Sequence, residues 1–326
     1  MTRVYITIDT EYSSGLMTGP GQADRAENYA RSIACLTPEG PAGITHKLRL
    51  FAQHGVRAVF FVDPMPALQW GVAAIEDIVA PIRDAGQDVQ LHCHTEWLEI
   101  AGAGAGHPLA RAGTARNIMD FAFEEQCAVL SWARDTLVAA GAPPPVAFRA
   151  GNYGANDDTL RALAEIGLRY DTSHCPALPG ASGISLGPED RDPVQHHGVI
   201  EVPVGSIGKL AGGQRHAQIT ALSLAEMTSA IAHARDTGRG AFTLVTHSFE
   251  LINRRRLAVN RIVRRRFTGL CREIAAMRGV ETATYTDDPP AVTASGRASE
   301  PLPADPLRTG LRMVEQAVSN ALYGAL

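Results

Sequence analysis

Cysteine, aromatic residues and long apolar runs are all scarce in this chain of 326 residues. The five cysteines, Cys35, Cys93, Cys127, Cys175 and Cys271, are scattered and lack CxxC spacing. This pattern argues against a disulfide framework and favours reduced thiols, so we expect a cytoplasmic protein. No segment approaches the roughly 20 apolar residues of a transmembrane helix, and we recognise no signal peptide.

An excess of basic charge is also absent. The formal net charge is -4, which argues against general binding to nucleic acids. Hydrophobic residues make up 45% of the chain and charged residues 20%, a balance typical of a folded globular protein.

Short β-rich runs alternate with amphipathic helical patterns along most of the chain. We predict strands at residues 3–9, 58–62, 88–92, 146–150, 168–173, 199–204 and 242–247, with a weaker candidate at 280–285. Helical patterns lie between them, such as residues 44–54 and 156–166, each followed by a glycine that can end a helix. Repeated strand–helix units predict a parallel sheet. The expected fold is therefore an α/β, distorted (β/α)7–8 TIM-like barrel, which forms one catalytic domain over residues 1–285.

The composition changes after residue 285. Residues 286–306 are rich in Pro, Ala, Ser and Asp and are predicted to form a linker. Apolar residues then recur at helical spacing, at Leu307, Leu311, Val314, Val318 and Leu322. Residues 286–326 are thus expected to be a linker and a C-terminal amphipathic helix that docks on the barrel. Peripheral contact with a membrane surface, or with a second copy, is the alternative, and the oligomeric state stays open.

Polar residues interrupt the predicted strands at their C-terminal ends. They are Asp9, Glu11, His92, His94, Arg149, Asp171 and His247. In a parallel barrel these ends share one face, where catalytic groups collect.

Two of these ends indicate a metal site. Asp9 and Glu11 are two residues apart in an extended chain, so both carboxylates can face one cavity, where a cation would relieve their repulsion. His92 and His94 share a side in the same way. One carboxylate with two imidazoles leaves open positions on Zn²⁺, as catalysis requires. Glu96 is the alternative to His94 if the chain turns helically there.

Other strand ends offer an orienting cation, a tight turn and an acid. Arg149 either caps its strand by ion pairing or holds Asp9 ionised and oriented. Glycines on both sides of Asn152 and Tyr153 permit a turn that exposes backbone N–H groups. His247 is a natural general acid near neutral pH.

Two further polar clusters have a structural and a functional interpretation. The arginines of residues 254–256 and 261–266 are either a solvated helix face or a contact for an anionic part of the substrate, since they follow His247 closely. His196 and His197 are expected in a polar loop, although they could also form a stray ligand pair.

The order of the motifs resembles that of the polysaccharide deacetylase family, the NodB-homology domain of carbohydrate esterase family 4, in a divergent branch. The matching motifs are Asp9-Thr10-Glu11, His92-Cys93-His94, Arg149-Ala150-Gly151-Asn152-Tyr153 and Leu244-Val245-Thr246-His247. The resemblance covers about residues 3–250 and depends on motif order more than on any single motif.

The resemblance implies a metal-dependent deacetylase, a hydrolase of carbon–nitrogen bonds other than peptide bonds. Glu11 and His92, with His94 or Glu96, would hold Zn²⁺ or another divalent transition metal, which acidifies a water molecule and polarises the scissile carbonyl. Asp9 would be the base.

The resemblance also assigns the remaining groups. Arg149 would orient the base, His247 would protonate the departing amine, and the Tyr153 backbone N–H would stabilise the oxyanion. Leu244 would line the acyl pocket. Asn152, Trp97 and Asp171 would complete the substrate site, with Asp171 either touching substrate or tuning an imidazole.

The expected substrate is an acylated sugar or glycan precursor, soluble or membrane-associated, carrying an N-acetyl group. The alternative is hydrolysis of another carbon–nitrogen bond, in a cyclic ureide or a small amide. A non-catalytic module that binds metal or sugar is disfavoured, because it would not need Asp9 and His247 together.

Overall fold

The N-terminal strand lies in the middle of a parallel sheet and is almost completely buried, as its run of β-branched and apolar residues predicts. The computed structural model describes residues 1–18, 22–102, 109, 115–292 and 299–324. The strands are, in chain order, β1 (Thr2–Thr10), β2 (Leu36–Thr37), β3 (Gly40–Pro41), β4 (Val59–Val62), β5 (Asp88–Cys93), β6 (Ala147–Ala150), β7 (Tyr170–Asp171), β8 (Val194–His196), β9 (Val199–Glu201), β10 (Ser206–Gly208), β11 (Gln214–His216), β12 (Ala241–His247), β13 (Ile252–Asn253), β14 (Ala258–Val259) and β15 (Val280–Thr282).

Helices connect most of the strands of the main sheet. They are α1 (Ser14–Thr18), α2 (Arg25–Asn28), α3 (Ile44–His54), α4 (Ala67–Trp70), α5 (Ala73–Asp84), α6 (Trp97–Ala101), α7 (Phe123–Ala139), α8 (Asp157–Glu165), α9 (Leu224–Asp236), α10 (Arg261–Ala276) and α11 (Pro306–Tyr323). A π-helical turn at Tyr29–Ile33 and 3-10 turns at Ile118–Asp120 and Gly151–Tyr153 add to them.

The main sheet is parallel except at one edge and curls into a barrel. Its order is β12-β1-β4-β5-β6-β7-β9-β8, with β15 pairing with the N-terminal part of β1, and only β8 runs antiparallel to its neighbour. Beyond β9, Val204 bridges Thr243 of β12, which brings the two sides of the sheet together. The predicted distorted TIM-like α/β barrel is confirmed.

Alternate residues of each strand build two separate hydrophobic layers. Tyr5 of β1 and Phe61 of β4 point into the barrel, where they pack with Tyr170 and Tyr285. Ile6 belongs to the larger layer between strands and helices. This alternation, with a period of two residues, decides which side chains can reach the barrel mouth.

Local signals fix the helix ends. The predicted helix at residues 44–54 is α3, and Gly55 ends it in the left-handed conformation at φ 64°. Helix α8 covers most of the predicted residues 156–166, and the Asn156 side chain caps it by accepting a hydrogen bond from the Thr159 N–H (2.9 Å).

The C-terminal helix α11 contacts the barrel through polar groups. Arg312 and Ser319 are its buried residues, and they contact Glu226 and Asn260. The apolar row that predicted the helix instead points outward; its members are 44–73% exposed and are Leu307, Leu311, Val314, Val318 and Leu322. Residues 293–298 of the predicted linker lie outside the described residues. No helix in the described ranges has both the length and the apolar character needed to cross a bilayer.

Candidate active site

The register of the sheet brings polar strand ends together. Asp9 on β1 lies directly beside His247 on β12, and His92 on β5 lies beside Arg149 on β6. All four are at the C-terminal ends of parallel strands, the edge at which barrel enzymes place their catalytic groups. Residues that are far apart in sequence therefore form one site.

Glu11, His92 and His94 form a compact cluster, called here the barrel triad. The Glu11 carboxylate lies 2.6 Å from His94 Nε2 and 3.2 Å from His92 Nε2. One ligand atom from each residue lies within 4.8 Å of the others, an arrangement that could hold a metal ion. Tetrahedral Zn²⁺ with bonds of about 2.0–2.2 Å needs ligand atoms about 3.4 Å apart, close to this spacing.

Each imidazole of the barrel triad is oriented by a polar partner at its Nδ1 atom, on the side of the ring away from Glu11. His92 Nδ1 donates to the backbone carbonyl of Arg149 (2.6 Å), and His94 Nδ1 lies 3.2 Å from Glu96 Oε1. This leaves each Nε2 directed at Glu11. Metal-ligating histidines usually have such a partner on the second nitrogen, so these residues fit a divalent ion. Glu96 lies behind His94 and not beside it.

Electrostatics within the barrel triad also suit a cation. Burial raises the pKa of Glu11, but the two histidines outweigh it and hold the carboxyl well below its ordinary pKa. Burial opposes protonation of His94, but Glu11 and Glu96 outweigh it and raise the pKa of the imidazole. Since a ligating imidazole is neutral, binding of a divalent ion would release this proton.

Asp9 is held by a fully buried arginine. Arg149 Nη1 donates to Asp9 Oδ1 (2.7 Å) and to Thr7 Oγ1 (2.8 Å), and its guanidinium lies 4.6 Å from the centre of the Phe61 ring. Burial raises the pKa of Asp9, but Arg149, then His92 and His247, hold it below its ordinary value. Asp9 is therefore ionised at neutral pH.

His247 is positioned by Glu250, a residue that the sequence reasoning missed. His247 Nδ1 lies 3.1 Å from Glu250 Oε1, and its Nε2 lies 3.8 Å from Asp9 Oδ2. Glu250 is held in turn by Thr246 Oγ1 (2.8 Å) and by Gln218. Burial lowers the pKa of His247, but Glu250 and Asp9 outweigh it and raise the pKa to about 9. The imidazole is thus protonated at neutral pH.

Asp63 is a second missed residue. It directly follows β4, its Oδ1 accepts from the backbone N–H of Met65 (3.0 Å) and of His94 (3.4 Å), and it is fully buried. Burial raises its pKa to about 7, although His94 and His92 act in the opposite direction. An acid just after a strand was the signal that could have identified it, as for Asp9.

The Gly-Asn-Tyr turn after β6 closes one side of the site. Asn152 and Tyr153 have φ of 56° and 58°, which gives the tight turn that the flanking glycines predict. A Cβ on Gly151 would lie 2.7 Å from His94 Nδ1, so only glycine lets the two approach. The Tyr153 side chain packs with Val245 in the barrel interior, and Asn152 donates to Asn117 Oδ1 (3.3 Å).

The structure does not bring Leu244 and Trp97 to the site. Leu244 belongs to the outer layer with Ile6, because neighbouring residues of β12 alternate between faces; Val245 shares the inner face with His247. Trp97 is 0% exposed and packs edge-on against Trp70 (5.4 Å between ring centres). The burial of these two side chains therefore gives no support to their predicted contacts with an acyl group or substrate.

Asp171 is at the end of β7 but makes interior contacts. Its carboxylate accepts from the Ser173 N–H (3.0 Å) and Oγ (2.8 Å) and interacts with Glu201. Asp171 is fully buried, and burial raises its pKa. The structure gives it no contact with an imidazole among the described residues.

A second cluster of the same composition lies elsewhere. Asp157, His196 and His197, called here the hairpin triad, lie at the start of α8 and at the turn between β8 and β9. The Asp157 carboxylate is 3.1 Å from His197 Nε2 and 3.5 Å from His196 Nε2, and all three side chains are partly exposed. The predicted polar loop thus contains a second ligand set.

Comparison with known proteins supports the fold. No family model and no curated protein matches the sequence. A structure from Mycobacterium smegmatis assigned as a polysaccharide deacetylase matches with a TM-score of 0.54 and 17% identity, over 90% of this chain and 95% of that one. The 4-alpha-glucanotransferase from Thermococcus litoralis matches with a TM-score of 0.51 and 11% identity, over 88% of this chain and 40% of that one.

A family 4 carbohydrate esterase from Streptomyces lividans aligns over 92% of this chain and 98% of its own, with 14% identity and a TM-score of 0.43. The two stronger matches show that the chain shares the deacetylase fold, as the motif order predicted. They also show the same fold in part of a protein with a different activity, the glucanotransferase, so the function must be argued from the site.

Proposed function

We propose that this chain is a metal-dependent hydrolase that removes an acyl group, in the simplest case N-acetyl, from a sugar or glycan precursor. The observation that carries the proposal is the convergence of three units on one barrel edge. The barrel triad, the Asp9–Arg149 pair and the His247–Glu250 pair supply ligands, a base and an acid. The motif order and the fold shared with the M. smegmatis protein support the same activity.

The barrel triad would hold the ion, and we propose Zn²⁺ because one carboxylate and two imidazoles form a typical catalytic donor set. When bound, such an ion lowers the pKa of a water molecule and polarises a carbonyl oxygen. Glu11 is better suited than Asp9 to be the carboxylate ligand, because Arg149 already occupies Asp9 Oδ1. His94 is better suited than Glu96, which orients it from behind.

Asp9 and His247 would move the two protons of the reaction. Asp9 is ionised, so it can accept a proton from the attacking water, and Arg149 keeps it oriented. His247 is protonated at neutral pH, so it can donate a proton to the departing amine nitrogen. We retain the Tyr153 backbone N–H as the proposed donor to the oxyanion.

We propose a precursor sugar as substrate and not an assembled wall polymer, because the scattered cysteines favour a cytoplasmic location. Asn152 stays a proposed substrate contact, since its side chain is at the exposed edge of the Gly-Asn-Tyr turn.

The decisive experiment combines elemental analysis with product detection. Purified protein should contain about one zinc per chain that Glu11→Ala and His92→Ala remove. His197→Ala is the matched control, because it removes an imidazole from the hairpin triad and should leave this zinc in place. Wild-type protein should release acetate from N-acetyl sugars. Ring opening of ureides without acetate release would favour the alternative carbon–nitrogen hydrolase, and an active metal-free protein would overturn the proposal.

A further inference from the structure

A cavity beside His247 is lined by two arginines that have no counter-ion among the described residues. The cavity has a volume of about 640 Å³, within the range of small-molecule sites, and its lining includes His247, Glu250, Phe249, Arg254 and Arg255. Because His247 forms part of its wall, the cavity opens directly beside the proposed acid of the active site.

These two arginines differ in their ion pairing from several arginines of the nearby helix α10. In the described ranges no carboxylate forms an ion pair with Arg254 or Arg255, and their guanidinium groups make no hydrogen bond there. By contrast, Arg266 on α10 pairs with Glu315 (2.6 Å), and Arg261 pairs with Glu39 (3.1 Å). On α10, Arg261, Arg264 and Arg266 thus have carboxylate partners, whereas Arg254 and Arg255 have none among the described residues.

Arg254 lines this cavity together with His247 and stacks on Phe249. Its guanidinium lies 4.0 Å from the centre of the Phe249 ring, which fixes its plane. Burial lowers the pKa of Arg254, and the carboxylate that most offsets this effect is Glu11 of the barrel triad. A half-buried cation that stacks on a ring and keeps its N–H donors unused is suited to binding an anion.

Asn253, at the start of the loop that carries the arginines, restrains the loop backbone. The loop connects β13 to β14, and Asn253 Oδ1 accepts from the Arg256 N–H (2.8 Å). Asn253 Nδ2 donates to the Tyr323 carbonyl at the end of α11 (2.6 Å). Because the loop is ordered before a ligand arrives, binding there costs little additional conformational entropy.

We propose that Arg254 and Arg255 form a subsite for a phosphate group attached to the sugar. This inference rests on the proposed function, since it places the phosphate beside the acid that would protonate the departing amine. Two guanidinium forks match phosphate oxygens through paired charge-assisted hydrogen bonds. Sugar nucleotides and lipid-linked sugar phosphates share this chemistry, and the choice of substrate distinguishes them.

The test compares charged and neutral substrates of the same sugar. In the double variant Arg254→Gln/Arg255→Gln, kcat/KM for N-acetylglucosamine 1-phosphate should fall about 10- to 100-fold, as expected when charge-assisted hydrogen bonds are lost. The value for neutral N-acetylglucosamine should stay unchanged. Arg256→Gln is the matched control, because it removes the same charge one residue away, where the side chain contacts the Leu322 carbonyl. Equal losses on both substrates, or no loss on either, would overturn the proposal.

A binding measurement separates this proposal from the proposed function. Calorimetry with inorganic pyrophosphate should detect binding to the wild type and to Arg256→Gln, and clearly weaker binding to the double variant. If no sugar is deacetylated but this difference persists, the hydrolase proposal fails and the subsite stands. If sugars are deacetylated but pyrophosphate binds all three proteins equally, the subsite fails alone. A parallel comparison of a sugar nucleotide with a lipid-linked sugar phosphate identifies the source of the phosphate.

Discussion

The barrel triad and the hairpin triad contain the same groups, one carboxylate and two imidazoles, at similar distances. They differ in what stands behind the ligands. In the barrel triad each Nδ1 has an acceptor of its own, the Arg149 carbonyl or Glu96. In the hairpin triad His196 directs its Nε2 at both Asp157 and Ser185 Oγ, so the contacts with this one nitrogen compete.

The two triads also differ in their neighbours. Only the barrel triad adjoins an ionised Asp9 and a protonated His247. The hairpin triad is partly exposed, and His197 occupies a turn position with φ 44°. The comparison teaches that composition and spacing find a ligand set, whereas the supporting contacts decide whether it can perform chemistry.

The largest expected difference concerns one carboxylate at each site: Asp9, which lies beside the barrel triad, and Asp157, which belongs to the hairpin triad. Asp9→Asn should lower kcat for deacetylation about 10²- to 10⁴-fold, because the amide cannot accept a proton from water. Asp157→Asn, the same change in the hairpin triad, should leave kcat unchanged. Steady-state kinetics on an N-acetyl sugar would measure both, and comparable losses would abolish the distinction between the triads.

The next effect concerns the groups behind the imidazoles. Glu96→Gln should weaken zinc binding about 10- to 100-fold, because a neutral amide replaces the charged carboxylate that accepts from His94 Nδ1 and orients its Nε2. Ser185→Ala, behind His196, should not change the affinity of the tight site. Competition with a chromogenic chelator gives both zinc affinities. An unchanged zinc affinity for Glu96→Gln would show that the charge of Glu96 is not needed to orient His94.

A third difference concerns pH. His247 must be protonated to act as an acid, so activity should fall as pH rises through its pKa of about 9. Glu250→Gln removes the carboxylate that raises this pKa, so the alkaline limb of the kcat/KM profile should move to lower pH. The same substitution at Glu124, an exposed residue of α7, serves as a control. An alkaline limb that stays in place would show that another group sets it.

The smallest effects are expected at two glycines. Gly151→Ala should disturb His94 and lower zinc affinity slightly, because the new Cβ would lie 2.7 Å from His94 Nδ1. Gly198→Ala, at φ 92° in the hairpin, should lower the free energy of unfolding by about 1 kcal/mol without changing zinc affinity. Thermal melts and metal titrations together separate the two, and identical responses would contradict the interpretation.

Much of the fold was predictable because periodicity and glycine stops are local signals. Strand β12 and helix α3 lie where the pattern places them, and Asp9, His92 and His247 follow from their positions at strand ends. Strand β15 is shorter than predicted, since its later residues turn to contact Asp88.

Where the sequence and the structure differ at the site, each difference has its own physical cause. Leu244 came from a motif, although counting back by two from His247 points to Val245 as the inward residue. The resemblance placed Trp97 at the substrate site, and sequence does not reveal that Trp70 packs against it. Glu250 escaped because its contact with His247 depends on the turn after β12, which carries no periodic signal.

The side-by-side register of β1 and β12 has a consequence for repeated turnover. After the proposed reaction Asp9 would carry an extra proton and His247 would lack one. Asp9 Oδ2 and His247 Nε2 lie only 3.8 Å apart. Transfer of the proton from Asp9 to His247 would therefore return both residues to their starting charges. The strand pairing that builds the barrel would then also reset the site, and the next cycle could begin without waiting for a proton from bulk water.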